Sequence, residues 1–188
     1  MPTTQVWTIG HSTRSGSEFV GLLVTHGIKC LVDVRRHAGS RKFPQFNPAA
    51  LEEELRAAGL AYLPIPALGG RRPTRPDSIN TAWRNASFRG YADHMASREF
   101  EQGLEQLMAA ARLAPTAFMC AEALWWRCHR ALIADALKLR SFEVLHIDSP
   151  RAPRLHPYTS AACVRDGRLT YSAPAAPAPP APPDSDAD

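Results

Sequence analysis

VWTIGHSTRSGSEFVGLLVTHGIKCLVDV, residues Val6 to Val34, reads as strand, helix, strand. Val6-Trp7-Thr8-Ile9 is β-branched and aromatic and stops at Gly10. Ser15-Gly16-Ser17-Glu18 has the spacing of a capping box, with Phe19, Leu22, Leu23 and His26 on one helical face and Gly27 closing the helix. Cys30-Leu31-Val32-Asp33-Val34 is then nearly all apolar, as expected of a strand covered on both faces. Such strands belong to parallel sheets, because a crossover helix must lie over each face.

Further along, Asn47-Pro48 predicts a helix start, with Leu51 and Leu55 on its inner face and Gly59 at its end. Ala61-Tyr62-Leu63-Pro64-Ile65 is a third strand that its proline places at an edge. Residues 68–85 carry no period, and loops this long are usually functional. Phe88, Tyr91 and Met95 predict a helix, and Ser97 caps another bearing Phe100, Leu104, Leu107 and Met108. Thr116 to Met119 and Phe142 to Ile147 are strands four and five, and the stripe Leu124, Cys128, Leu132, Ala136 predicts a helix between them. Cys163 to Tyr171 is a hairpin around Asp166-Gly167. Strand and helix alternate almost throughout. The expected fold is α/β, an open, mostly parallel sheet with flanking helices in a Rossmann-like three-layer arrangement, ending in a hairpin.

The 188 residues, 45% hydrophobic, suit one domain, drawn at 1–172. No apolar run reaches the ~18–20 residues of a membrane span, and Met1 to Gly10 shows no secretory signal. Four scattered cysteines make no disulfide scaffold, so reduced thiols in the cytoplasm are expected. Residues 173–188, APAAPAPPAPPDSDAD, hold no large apolar side chain and read as a disordered tail. Without its three aspartates, 22 bases face 15 acids, a formal +7, and 19 of the bases are arginine. Arginine is the better bidentate partner for phosphate, although a GC-rich genome produces the same bias.

Polar and reactive residues follow every predicted strand: His11 and Ser12 after the first, Arg35, Ser40 and Arg41 after the second, Gly69 and Gly70 after the third, Cys120 and Glu122 after the fourth, and His146 within the end of the fifth. Ligands of open parallel sheets bind at the strands' carboxyl ends, where helix N-termini point. Cys120 is expected in a turn entering a helix, where the helix dipole and nearby arginines favour the thiolate, with His11, His129 or His146 as bases. A buried, inert thiol is the alternative. Cys128 shares a face with Leu124 and Leu132 and reads as core. His129 and Arg130 fall one and two turns into the helix. Glu122 suits the first helical turn or an acid–base role. Asp33 either orients Arg35 towards a ligand or closes a structural ion pair. Phe43, Phe46, Trp83 and Phe88, mixed with arginines, either stack bases or pack on one another. Cys120 and Cys128, separated by seven residues, match no short zinc spacing, so no metal set is assigned. A site of Cys120, Glu122 and a histidine is the metal alternative. No motif names a cofactor.

Thr8-Ile9-Gly10-His11-Ser12, Leu31-Val32-Asp33-Val34-Arg35, Ser40-Arg41, Leu68-Gly69-Gly70, Met119-Cys120-Ala121-Glu122, Cys128-His129-Arg130 and His146-Ile147 together resemble the motif series of the domain-of-unknown-function 488 family, over about residues 5 to 150. The resemblance implies an α/β fold and one shared site at these positions, and brings no reaction. The phrase Leu31 to Arg35 is also similar to rhodanese-like domains, but Arg127 and Arg130 come too late after Cys120 for their Cys-x4-Arg loop or for a Cys-x5-Arg phosphatase loop. The expected function is an enzyme acting on a phosphate-bearing ligand, a nucleotide or nucleic acid. Cys120, Glu122, His11 and His129 are its reacting groups, and Ser12, Asp33, Arg35, Ser40, Arg41, Gly69, Gly70, Arg130 and His146 its ligand-binding groups. The alternatives are a non-catalytic nucleotide or nucleic-acid binding module and a metal-binding protein.

Overall fold

Five strands of one sheet run parallel: β1 (Gln5–Gly10), β2 (Cys30–Asp33), β3 (Ala61–Pro64), β4 (Thr116–Cys120) and β5 (Glu143–Ile147). The short β6 (Arg154–Leu155) adds an antiparallel edge, in the order β3-β2-β4-β1-β5-β6. This computed structural model describes residues 4–173, so the tail, apart from Ala173, lies outside the described residues. β7 (Cys163–Arg165) and β8 (Arg168–Thr170) form the predicted hairpin, with Asp166 at φ 49° and Gly167 at φ 70°, both positive as a type I′ turn requires.

The five α-helices among the described residues are α1 (Gly16–Thr25), α2 (Pro48–Ala57), α3 (Ala86–His94), α4 (Arg98–Leu113) and α5 (Arg130–Leu139). Two cores separate by strand parity. Ile9, Leu31, Ala117, Met119 and Ile147 pack on Phe19, Leu23, Leu51 and Leu55 of α1 and α2. Val6, Val32, Phe118 and Val144 pack on α3, α4 and α5 through Tyr91, Phe100, Leu104 and Leu132. Successive side chains of a strand point to opposite faces, so a nearly continuous apolar run supplies both layers. No helix among the described residues is long and apolar enough to cross a membrane.

The sequence signals act as their chemistry predicts. Ser15 and Glu18 close a capping box on α1, and Ser97 accepts the Phe100 N–H at 3.1 Å to start α4. Pro64 ends an edge strand. Asn47 precedes α2 as expected but caps nothing, since its Oδ1 instead accepts the Ser40 N–H at 2.7 Å. His26 caps α1 rather than continuing its apolar face, and its Nε2 meets the Ser149 carbonyl at 2.8 Å.

One expectation fails. Residues 121–129 are not helical: a short 3-10 turn, Trp125–Arg127, interrupts a loop, and α5 begins only at Arg130. The apparent stripe broke because Leu124 is 37% exposed and faces no core. Cys120 therefore ends a strand and never meets a helix N-terminus.

Candidate active site at the carboxyl edge of the sheet

The loop after β4 is tied to the end of β1. His11 N–H donates to the Cys120 carbonyl at 3.0 Å and Ser12 N–H to the Ala121 carbonyl at 2.9 Å. Arg130, 1% exposed, donates to Thr8 Oγ1 at 2.9 Å and to the carbonyls of Glu122 and Ala123. Only glycine fits at position 10, since a Cβ there would lie 1.9 Å from the Glu122 carbonyl oxygen. Held this way, the loop doubles back and brings Cys128 and His129 over the end of β4. One ring nitrogen of His129 and the two Sγ atoms of Cys120 and Cys128 lie within 4.8 Å of one another.

His129 Nε2 lies 3.1 Å from the Val34 carbonyl, which can only accept, so Nε2 carries the hydrogen. Nδ1 then presents its lone pair, 3.6 Å from Cys128 Sγ. The ring is braced by Tyr91, with centroids 5.0 Å apart, and by Gly70, whose missing Cβ would stand 2.8 Å from Nδ1. Two thiols this close do not ionise together. Burial opposes ionisation of Cys128, but its hydrogen bond with Cys120, its contact with His129 and the Arg130 charge outweigh burial and bring its thiol well below the usual range. The hydrogen bond to Cys128, followed by burial, holds Cys120 well above it. Cys128 is thus the more acidic thiol of the pair. Cys128 is buried as expected, 5% exposed, and also lines the cavity beside Cys120. His129 and Arg130 are not one and two turns into a helix: His129 caps α5 and Arg130 is its first residue.

Arg130 pairs with no carboxylate among the described residues, and its buried Nε has no hydrogen-bond partner. The cluster borders a cavity of about 380 Å³, which Gly70, Arg71, Glu122 and Arg127 also line. Neither Arg71 nor Arg127 enters a salt bridge among the described residues. Glu122 Oε1 accepts the Leu124 N–H at 3.2 Å, and its side chain is exposed.

The remaining expected site residues lie elsewhere. Asp33 has the parity of Leu31 and falls on the α1–α2 side, where Arg35 Nε and Nη2 donate to it at 2.9 and 2.6 Å and the Tyr62 hydroxyl at 2.7 Å. Arg35 Nη2 also donates to the Phe46 carbonyl. This is the ion pair of the structural alternative, and burial followed by the Asp33 carboxylate moves the Tyr62 hydroxyl above its usual pKa. His11 stacks on Phe46 at 4.1 Å, and burial holds it neutral. Ser12 adopts φ 50°, and Ser40 Oγ accepts the Phe43 N–H. Arg41 is exposed. Gly69 packs on the Arg36 backbone. Trp83 stacks on Phe88 at 4.6 Å, so these aromatics pack on one another.

His146 is buried and does not line the cavity. Its Nε2 meets His156 Nδ1 at 2.9 Å, and His156 Nε2 meets Asp135 Oδ1 at 3.0 Å. Because the carboxylate accepts, each ring donates towards it and the His146 Nδ1 lone pair is left buried without a partner. Asp135 and His156 carry no sequence signal, because one is an isolated acid in an apolar helix and the other follows a two-residue strand. Cys128 and His129 had a signal: the run Trp125-Trp126-Arg127-Cys128-His129-Arg130 offers no N-cap residue where a helix stripe was read.

Fold and cluster together define an α/β protein with a dithiol–histidine site at the carboxyl edge of a parallel sheet. The family model described as domain of unknown function DUF488 matches residues 15–137, and the chain belongs to that family. The motifs at Thr8–Ser12 and His146–Ile147 flank the matched region. No curated protein and no solved structure matches.

Proposed function

We propose that the protein is an enzyme acting on a phosphate-bearing anion, such as a nucleotide or the end of a nucleic acid, in the 380 Å³ cavity. The reacting centre of this reading is the cluster Cys120, Cys128 and His129, with Glu122 exchanging protons from the cavity wall and Arg71 and Arg127 drawing in the anion. One observation carries it: the Arg130 guanidinium, buried and without a carboxylate partner among the described residues, acts electrostatically on both thiols of the cluster. An uncompensated buried cation is costly, and here the compensating charge is a thiolate or a bound anion. The four cysteines are free, which fits a reducing compartment, and the cytoplasm is the location we assign.

Alkylation of metal-stripped protein tests this. Cys128 labels first, with an apparent pKa well below the ~8.5 of a free thiol. Nucleoside triphosphate or pyrophosphate slows that labelling, and the protection disappears in the Arg71→Ala/Arg127→Ala double variant. Labelling only upon unfolding, with no protection by any phosphate compound, overturns the reading. Protection without turnover in any phosphoryl or acyl assay points instead to a binding module.

A further inference from the structure

We propose that Cys120, Cys128 and His129 form a three-ligand site for a soft divalent cation, zinc fitting best, whose fourth coordination position opens on the cavity. This deepens the proposed function by supplying the cluster with an electrophile. Its metal-binding core stands on geometry independent of any substrate.

Distances come first. Zinc bonds of ~2.3 Å to sulfur and ~2.0–2.1 Å to nitrogen, at a tetrahedral angle, place adjacent S and N ligand atoms ~3.6 Å apart and two sulfurs ~3.8 Å apart. Cys128 Sγ and His129 Nδ1 are 3.6 Å apart, and all three donor atoms fall within 4.8 Å. The set therefore needs only a small contraction to close on an ion.

Tautomer and support agree with this. Metal-bound histidines donate their other ring N–H to a carbonyl or carboxylate, which fixes the ring and frees the ligating lone pair. His129 does so through Nε2 to the Val34 carbonyl, and the lone pair left on Nδ1 faces the thiols. Two sulfurs and an imidazole are the donor set that favours zinc over magnesium or calcium. No fourth histidine, cysteine or acid joins the group among the described residues. Three protein ligands with an open position mark a catalytic rather than a structural zinc site.

Charge explains Arg130. A divalent ion with two thiolates is neutral, so the buried guanidinium leaves one positive charge. A hydroxide or an anionic oxygen of the substrate in the fourth position balances it. On binding, the thiol proton or protons pass to solvent, and nothing is oxidised or reduced.

The full chain, stripped with chelator and titrated with cobalt(II), tests the site. The expected result is one equivalent bound, with thiolate-to-cobalt charge-transfer absorption that zinc abolishes by competition. Cys120→Ser and Cys128→Ser each lower that absorption at least twofold, and Cys163→Ser leaves it unchanged. His129→Asn weakens binding by more than the ~10–100-fold that loss of an outer-shell partner costs. Because the buried cysteine variants risk unfolding, the wild-type protein supplies a second readout: one equivalent of zinc blocks alkylation of Cys120 and Cys128 but not of Cys163. Cobalt bound without charge transfer, or labelling unaffected by zinc, overturns the site. Phosphate protection of the metal-free protein is read separately, so failure of the metal site and failure of the anion-binding reading remain distinguishable.

Discussion

Protonation of His146 is the sharpest test of the buried packing around it. Its ring is 2% exposed, stacks on Trp125 at 4.2 Å and donates through Nε2 to His156. A proton added at Nδ1 would meet no acceptor. Burial first, then the fields of His156 and Arg130, push its pKa down from 6.5 to about 2. Because the folded value lies below the unfolded one, the neutral ring's contribution is intact above pH ~6.5. It is lost as pH falls towards 2, since the unfolded chain takes a proton that the folded chain refuses. One proton is worth ~1.36 kcal/mol per pH unit, so the loss between pH 7.5 and 4.5 is roughly 2–3 kcal/mol. Domains have only ~5–15 kcal/mol in all. His146→Asn cannot titrate, yet its amide can still donate to His156. Urea unfolding of both proteins across that interval should show the wild type losing roughly 2–3 kcal/mol more than the variant. His11 and His94, which burial also holds neutral, act in both proteins and cancel. Parallel stability curves, differing by less than ~0.5 kcal/mol over the interval, would refute the reasoning.

Gly70→Ala places a Cβ 2.8 Å from His129 Nδ1 on a backbone that needs no positive φ. Stability should fall by roughly 1–3 kcal/mol, while the displaced ring lets the Cys128 pKa climb towards ~8.5 in an alkylation profile. An unchanged profile would mean that His129 does not set the thiol's acidity. Asp135→Ala strands four donors that now converge on one buried carboxylate: His156 Nε2, the Thr159 N–H and hydroxyl, and the Tyr171 hydroxyl. At ~1–3 kcal/mol for each unsatisfied buried group, chemical denaturation should show a loss of at least ~4 kcal/mol. A loss under ~2 kcal/mol would show that the network is not what pins residues 156–171 to α5.

Much of the architecture is local and therefore legible. The capping box at Ser15, the stop at Gly27, the apolar run at Cys30 and the Asp166-Gly167 turn each follow from chemistry spanning a few residues. The carboxyl edge as the place where the candidate residues gather was legible as well, since parallel strands necessarily end together. Its membership was only partly so. Cys120, Glu122, His129 and Gly70 reach the cavity as expected, but Asp33, Arg35 and His11 lie on the α1–α2 side. One residue of parity at β2 decides that separation, and composition does not reveal it. The stripe through Leu124 and Cys128 misled because apolar spacing at 3.6 residues also occurs by chance in a loop that packs on its neighbours.

By itself the sequence determined the alternation of strand and helix, most of the element starts, the parallel sheet and the edge on which reactive residues gather. All of these rest on contacts within a few residues or on the two faces of a strand. Only the tertiary structure decided the strand order, with β4 between β2 and β1, and the return of the 121–129 loop onto that edge. From these come the meeting of Cys128 and His129 with Cys120 and the burial of Arg130 behind them. Those outcomes depend on hydrogen bonds from His11 and Ser12 to the carbonyls of Cys120 and Ala121, more than 100 residues apart, whose energies no local pattern encodes.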